Sequence, residues 1–146
     1  LLSAYATGRG PVLARGTAEI NEGKRGQQIV ITEIPYQVNK AELIKKVAEL
    51  VKEKKIDGIR DIRDESDRQG LRIVIELKTD SFPKKVLNAL YKMTELQKTF
   101  HFNMIALVDG IQPQTLSLKT MLEKFIDHRK EVVRRRTEFD LAKAKD

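Results

Sequence analysis

The chain of 146 residues is 40% apolar and 34% charged, the balance of a folded domain and not of a disordered segment. It has no cysteine, which excludes disulfides, thiolate metal sites and a cysteine nucleophile, and no apolar run approaches the ~20 residues of a membrane span. The net charge of +7 points to an anionic partner, nucleic acid foremost. No signal peptide opens the chain, so the cytoplasm is the expected location. Because it begins at Leu1 and stops inside a helical pattern, it reads as a piece of a longer protein.

In chain order, Val12 to Ile20 and Gln28 to Ile34 read as two strands around "NEGKRGQ", with Pro35 ending the second. A helix follows: Asn39 is placed to cap it, Glu42 stands at the capping-box position, and Val38 can staple against Leu43. Leu43, Ile44, Val47, Leu50 and Val51 share its apolar face, and Gly58 lies just past its end. The segment "RDESDRQGLRIVIELK" then poses a choice between a carboxylate site and a hairpin turn. Its second half alternates, with Leu71, Ile73, Ile75 and Leu77 on one side and Arg72, Val74, Glu76 and Lys78 on the other, as in a strand buried on one face. Ile59 to Arg63 is the expected partner strand. Ser81 is the expected cap of a second helix, with Pro83 in its first turn and Val86, Leu87, Leu90 and Tyr91 inward. "TFHFNMIALVDG" reads as one further strand. From about Ser117 a long helix repeats Leu118, Phe125, Val132 and Phe139 every seven residues, a seam for another long helix. The order predicts an α+β fold: an antiparallel sheet with helices packed on one face, then a long C-terminal helix.

Chemical motifs are sparse. "ESDRQG" with Glu76 echoes a calcium loop, but the strand on its right and Arg68 inside it favour a turn with local ion pairs among Asp64, Glu65, Asp67, Arg63, Arg68 and Arg72. "TGRGP" lacks the spacing and Lys-Ser/Thr of a phosphate loop and reads as a place of close backbone approach. His101, between Phe100 and Phe102, reads as structural, and "HRKEVVRRR" as a solvated helix face with Val132 and Val133 burying one side. No metal site and no catalytic residue are expected. The positive excess sits on residues 39–55, with 6 basic and 3 acidic groups, and on 117–146, with 9 and 6.

The segments "TGRGPV", "EIPYQVNKAELIKKVAELV", "IRDESDRQGLRIVIELK", "LYKMTELQKTFHFNMIALVDG" and "HRKEVVRRRTEFDLAKAKD" follow one another along the whole chain. In that order they resemble the A subunit of the bacterial type IIA topoisomerases. "EIPYQVNK" and "RRRTEFDLAKAKD" favour DNA gyrase, with topoisomerase IV the close second. The resemblance implies a tower domain at 1–116 and the start of a coiled-coil arm at 117–146. It implies a parent enzyme that cuts one duplex, passes another through and reseals, with ATP and Mg2+ bound by a partner ATPase subunit in an A2B2 assembly. The other expected partners are double-stranded DNA and a second copy of the same subunit, in the cytoplasm at the nucleoid and at no membrane.

The family's nucleophile is a tyrosine after an arginine. Here Tyr5 follows Ala4, Tyr36 follows Pro35 and Tyr91 follows Leu90, so the fragment is expected to be inactive alone and to hold no cofactor. A tower supports and bends the arms of the cut duplex. Candidate phosphate contacts, chosen for charge and expected exposure, are Arg9, Arg15, Lys24, Arg25, Lys40, Lys45 and Lys46. Two other readings remain: a small RNA-binding α+β domain, which should carry stacking aromatics on its sheet, and a pure oligomerisation module built on the final helix.

Overall fold

The computed structural model describes residues 1–23, 26–108 and 110–145. The chain divides into two compact units, Leu13–Thr99 on one hand and Leu1–Val12 with Phe100–Asp146 on the other. The elements are α1 (Leu2–Thr7), β1 (Arg9–Arg15), β2 (Ala18–Gly23), β3 (Gly26–Ile31), α2 (Lys40–Lys52), β4 (Ile59–Asp64), β5 (Ile73–Leu77), α3 (Pro83–Met93), β6 (Gln97–Asn103), β7 (Ile105–Val108), β8 (Gln112–Thr115) and α4 (Leu118–Lys145). The α+β class, with antiparallel strands and a long last helix, is therefore as the residue pattern predicts.

Leu13–Thr99 is built on a four-stranded antiparallel sheet in the order β2-β3-β5-β4. Ile29 faces Ile75 and Ile31 faces Ile73 across the central pair, so four β-branched side chains share one face. Against that face pack Leu43, Val47 and Leu50 of α2 and Val86 and Leu90 of α3, all in one buried cluster. The α2 start is as expected: Asn39 Oδ1 accepts from the Ala41 and Glu42 amides at 2.9 and 3.3 Å. The α3 start differs. Phe82 holds the cap position, and Ser81 Oγ instead donates to the Lys78 carbonyl at 2.6 Å, closing the turn before the helix.

β5 also departs from the one-face reading, since all five of its residues are buried. It is an inner strand, and its outer face is covered too. Val74 stands opposite Val30 on one side and Arg63 on the other. Arg63 then reaches along the strand to Glu76 at 2.8 Å, so its aliphatic stem runs over the outer face.

The first expected strand is two strands in two sheets. β1 pairs with β6, and β2 with β3. Gly16 marks the change. Its amide donates to the Leu96 carbonyl at 2.8 Å, and a Cβ there would lie 2.4 Å from the Glu33 carbonyl oxygen and 2.7 Å from Leu96 Cδ1. Only glycine lets the backbones come so close.

In the other unit, "TGRGP" does supply the close approach expected of it. Gly8 ends α1 at φ 78°, and a Cβ on it would sit 2.1 Å from the Leu116 carbonyl oxygen. Its carbonyl accepts from the Met104 amide at 2.7 Å, at the point where the expected single strand of 99–110 divides into β6 and β7. β7 and β8 form a hairpin, with Leu107 opposite Pro113. Tyr5 and Phe102 meet with ring centroids 6.1 Å apart. His101 is exposed, contrary to its expected structural role, because alternation along β6 turns Phe100 and Phe102 inward and the imidazole out. Ser117 Oγ accepts from the Thr120 amide at 3.1 Å and caps α4. That helix buries none of its residues, so Val132 and Val133 do not bury one side of it in this chain.

Ile75→Ala should cost about 2–5 kcal/mol, measured by urea denaturation, because it leaves a cavity under two helices. Leu13→Ala, at an exposed position, should stay within about 0.5 kcal/mol.

Candidate nucleic-acid interface

The crowded loop between β4 and β5 resolves into a turn. Asp67 and Gly70 exchange backbone hydrogen bonds of 3.1 and 3.3 Å, and the Glu65 amide donates to the Arg72 carbonyl at 2.8 Å. Two carboxylates bind backbone: Asp64 Oδ1 accepts from the Ser66 amide at 3.0 Å and Asp67 Oδ1 from the Gln69 amide at 2.8 Å. Glu65 lies between Arg63 at 3.3 Å and Arg72 at 3.2 Å. Glu76 leaves the loop altogether. It is 8% exposed on β5 and is gripped by Arg60 at 2.6 Å and Arg63 at 2.8 Å. Those two guanidiniums, Arg60 first, hold its carboxyl below the ordinary glutamate range. The donor set does not suit a divalent cation, because Glu65 and Glu76 are each committed to two arginines.

Asp64 shows where local reasoning fell short. Its cation is Lys40, far away in sequence, at 2.7 Å. The Lys40 ammonium and the Ser66 groups hold the Asp64 carboxyl at about 2, against an ordinary 3.8. Lys40 therefore ties the start of α2 to the end of β4, and its charge is already answered.

The other candidate cations are placed unequally. Arg15, Lys40, Lys45 and Lys46 belong to Leu13–Thr99, and Arg9 to the other unit. Lys24 and Arg25 lie outside the described residues. The Arg15 guanidinium lies over the Tyr91 ring, 5.1 Å from its centroid, and its Nε donates to Gln97 Oε1. The Tyr91 hydroxyl in turn donates to the Gly16 carbonyl at 3.1 Å. Arg15 is thus an exposed cation held in one orientation, with no carboxylate partner among the described residues. Lys45 and Lys46 are exposed on α2 and line a groove with Glu42, Glu49, Lys92 and Glu95, where Lys46 comes within 3.9 Å of Glu49. Arg9 is exposed at the start of β1. Sequence reasoning expected Glu65 to pair with Arg63 and Arg72 and set Arg72 and Glu76 on one side of β5; it missed that Arg60 and Arg63 of β4 reach across to Glu76.

This α+β chain belongs to the family of the DNA gyrase/topoisomerase IV A subunit, whose model matches residues 1–146. Its relatives are more particular. It is 55% identical to the DNA gyrase A subunit of Pseudomonas aeruginosa over 100% of this chain and 16% of that protein. It is 56% identical to the DNA gyrase A subunit of Clostridium acetobutylicum over 97% of this chain and 17% of that protein, and 54% identical to that of Escherichia coli over 98% and 16%. The chain therefore spans about one sixth of the length of the curated relatives it matches. Among the described residues no helix is long and apolar enough to cross a membrane.

The Asp64 pair has a defined pH signature. Because its folded pKa lies below the ordinary one, its contribution is complete above about 3.8 and is lost as pH falls through about 2. The destabilisation caused by Lys40→Ala should thus be full at neutral pH and shrink across that window. NMR titration of the Asp64 carboxyl should show its midpoint moving up toward 3.8 in the variant.

Proposed function

We propose that these residues form a DNA-supporting segment of the A subunit of a type IIA topoisomerase. In this reading residues 1–116 act as the tower and 117–146 as the start of a coiled-coil arm. The tower carries the arms of a duplex cut elsewhere in the parent and bends them through phosphate contacts. The observation that carries the reading is the family match over all 146 residues. Arg15 supports it, because a cation already fixed by a ring and an amide loses little freedom on meeting a phosphate. Phosphate contacts position a duplex without reading its sequence, which suits an enzyme that must act at many places.

The parent, on the same reading, changes DNA topology with ATP and Mg2+ held by a partner ATPase of the gyrase B type. It works in an A2B2 assembly, with a second copy of its own kind, at the nucleoid. The tyrosines here take no part in cleavage. None follows an arginine, and Tyr91 is engaged beneath Arg15.

Fluorescence anisotropy with unrelated duplexes of equal length tests the proposal. Weak binding without sequence preference is expected, with log affinity falling against log salt by about 0.9 per phosphate neutralised. Arg15→Glu, and Lys24→Glu with Arg25→Glu, should weaken all duplexes alike. Lys40→Glu should act through stability, since that lysine already has a carboxylate. Marked preference for one sequence, no binding at low salt, or covalent protein–DNA adducts from this chain alone would overturn the reading.

A further inference from the structure

The two edges of the four-stranded sheet are guarded unequally. β4, at one edge, shifts register between Ile59 and Asp61 and carries Arg60 and Arg63. Irregularities and charges of that kind keep an edge from pairing with a further strand. β2, at the other edge, pairs with β3 through six successive residues without a shift, and its sequence "AEINEG" holds no proline, lysine or arginine.

The direction of the β2 backbone follows from its first hydrogen bonds. The Gly16 amide donates to Leu96 on one side of the chain, and the Thr17 carbonyl accepts from the Thr32 amide on the β3 side. Successive residues alternate, so Ala18, Ile20 and Glu22 turn their N–H and C=O groups away from β3. Among the described residues these groups have no hydrogen-bond partner. Beside them is room for a side chain. Ile20, Gln27, Phe82, Pro83 and Lys84 line a cavity of about 280 Å³, and Phe82, the cap residue of α3, is 75% exposed. On the opposite face Glu19 stands exposed across from Val30, and Glu22 is exposed toward the hairpin tip. Neither carboxylate enters an ion pair among the described residues.

Those features select an occupant. A nucleic-acid backbone would meet two carboxylates. The β2 strand of a second copy would add two more and bring no cation of its own to answer them. A helix would leave the outward amides and carbonyls unmatched. An extended segment that alternates apolar and basic residues answers every feature at once. Its backbone continues the ladder, an apolar side chain enters beside Ile20 and Phe82, and a lysine or arginine on the other face meets Glu19. We propose that the β2 edge binds such a segment by strand addition, antiparallel like every other pairing in this sheet. Attraction at this edge is local, because the chain as a whole carries +7 and repels a basic peptide. The proposal goes beyond the duplex-support reading and does not depend on it.

The test uses the full 146-residue chain and three short fluorescent peptides. One alternates Lys with Val, one has Glu in place of every Lys, and one is the first peptide N-methylated at its Val amides. By anisotropy the first should bind, the Glu peptide should be weaker by about tenfold or more, and the N-methylated peptide should not bind. Amide hydrogen exchange at Ala18, Ile20 and Glu22 should slow when the first peptide is bound. Glu22→Pro removes an outward N–H and spares the β3 ladder, so it should abolish binding, whereas Glu22→Gln should weaken it only in part. Both variants are checked for folding by circular dichroism. Equal binding of the Lys and Glu peptides, undiminished binding of the N-methylated peptide, or protection confined to other strands overturns the proposal. So does self-association of the free chain that Glu22→Pro abolishes, which would make a second copy the occupant.

Discussion

The central strand pair, β3 with β5, is the constraint on which Leu13–Thr99 is organised. Ile29, Ile31, Ile73 and Ile75 cannot remain in water, and their alternation sends all four to one face. Both helices are held to that face by the rows of Leu43, Val47 and Leu50 and of Val86 and Leu90. Lys45 and Lys46 are turned outward as a consequence, because they lie off the face that carries Leu43 and Val47. The outer side of the same strands is closed differently. There Val74 lies beside Arg63, whose head pairs with Glu76, so an arginine and a glutamate help to close that face.

This closure decides how positive charge is distributed. Composition gives an excess of seven, but the excess is uneven in availability. Arg60 and Arg63 are answered by Glu76 on β5, Arg72 by Glu65 in the loop before that strand, and Lys40 by Asp64. Arg15 is restrained by an aromatic ring and an amide, which fix its direction and leave its charge in place. A cation's usefulness to an anionic partner depends on this difference more than on its count.

What could be read from residues alone follows the range of the forces involved. The α2 cap and its apolar stripe depend on near neighbours and stand where the pattern puts them, whereas the second face of β5 is buried by residues of other strands. The break at Gly16 was not visible, because its cause is Leu96, 80 positions later in the chain. β8 escaped notice because "QPQT" carries no apolar signal and owes its pairing to Ile105–Val108. α1 was missed as a six-residue helix without a side-chain cap. At the candidate interface the charges were legible and their partners were not, as the Lys40–Asp64 pair shows. The family was legible because ordered segments carry information that single motifs lack.

The inner position of β3 and β5 also sets a hierarchy of opening. Their amides are bonded within the sheet and most of their residues are buried, so their exchange with solvent deuterium should demand the largest opening in this unit. Of the two edge strands, β4 is bound into that centre by Arg60 and Arg63 on Glu76 and by Asp64 on Lys40. A force on this unit would therefore be relieved first at the β2 edge, while β3, β5 and β4 move together.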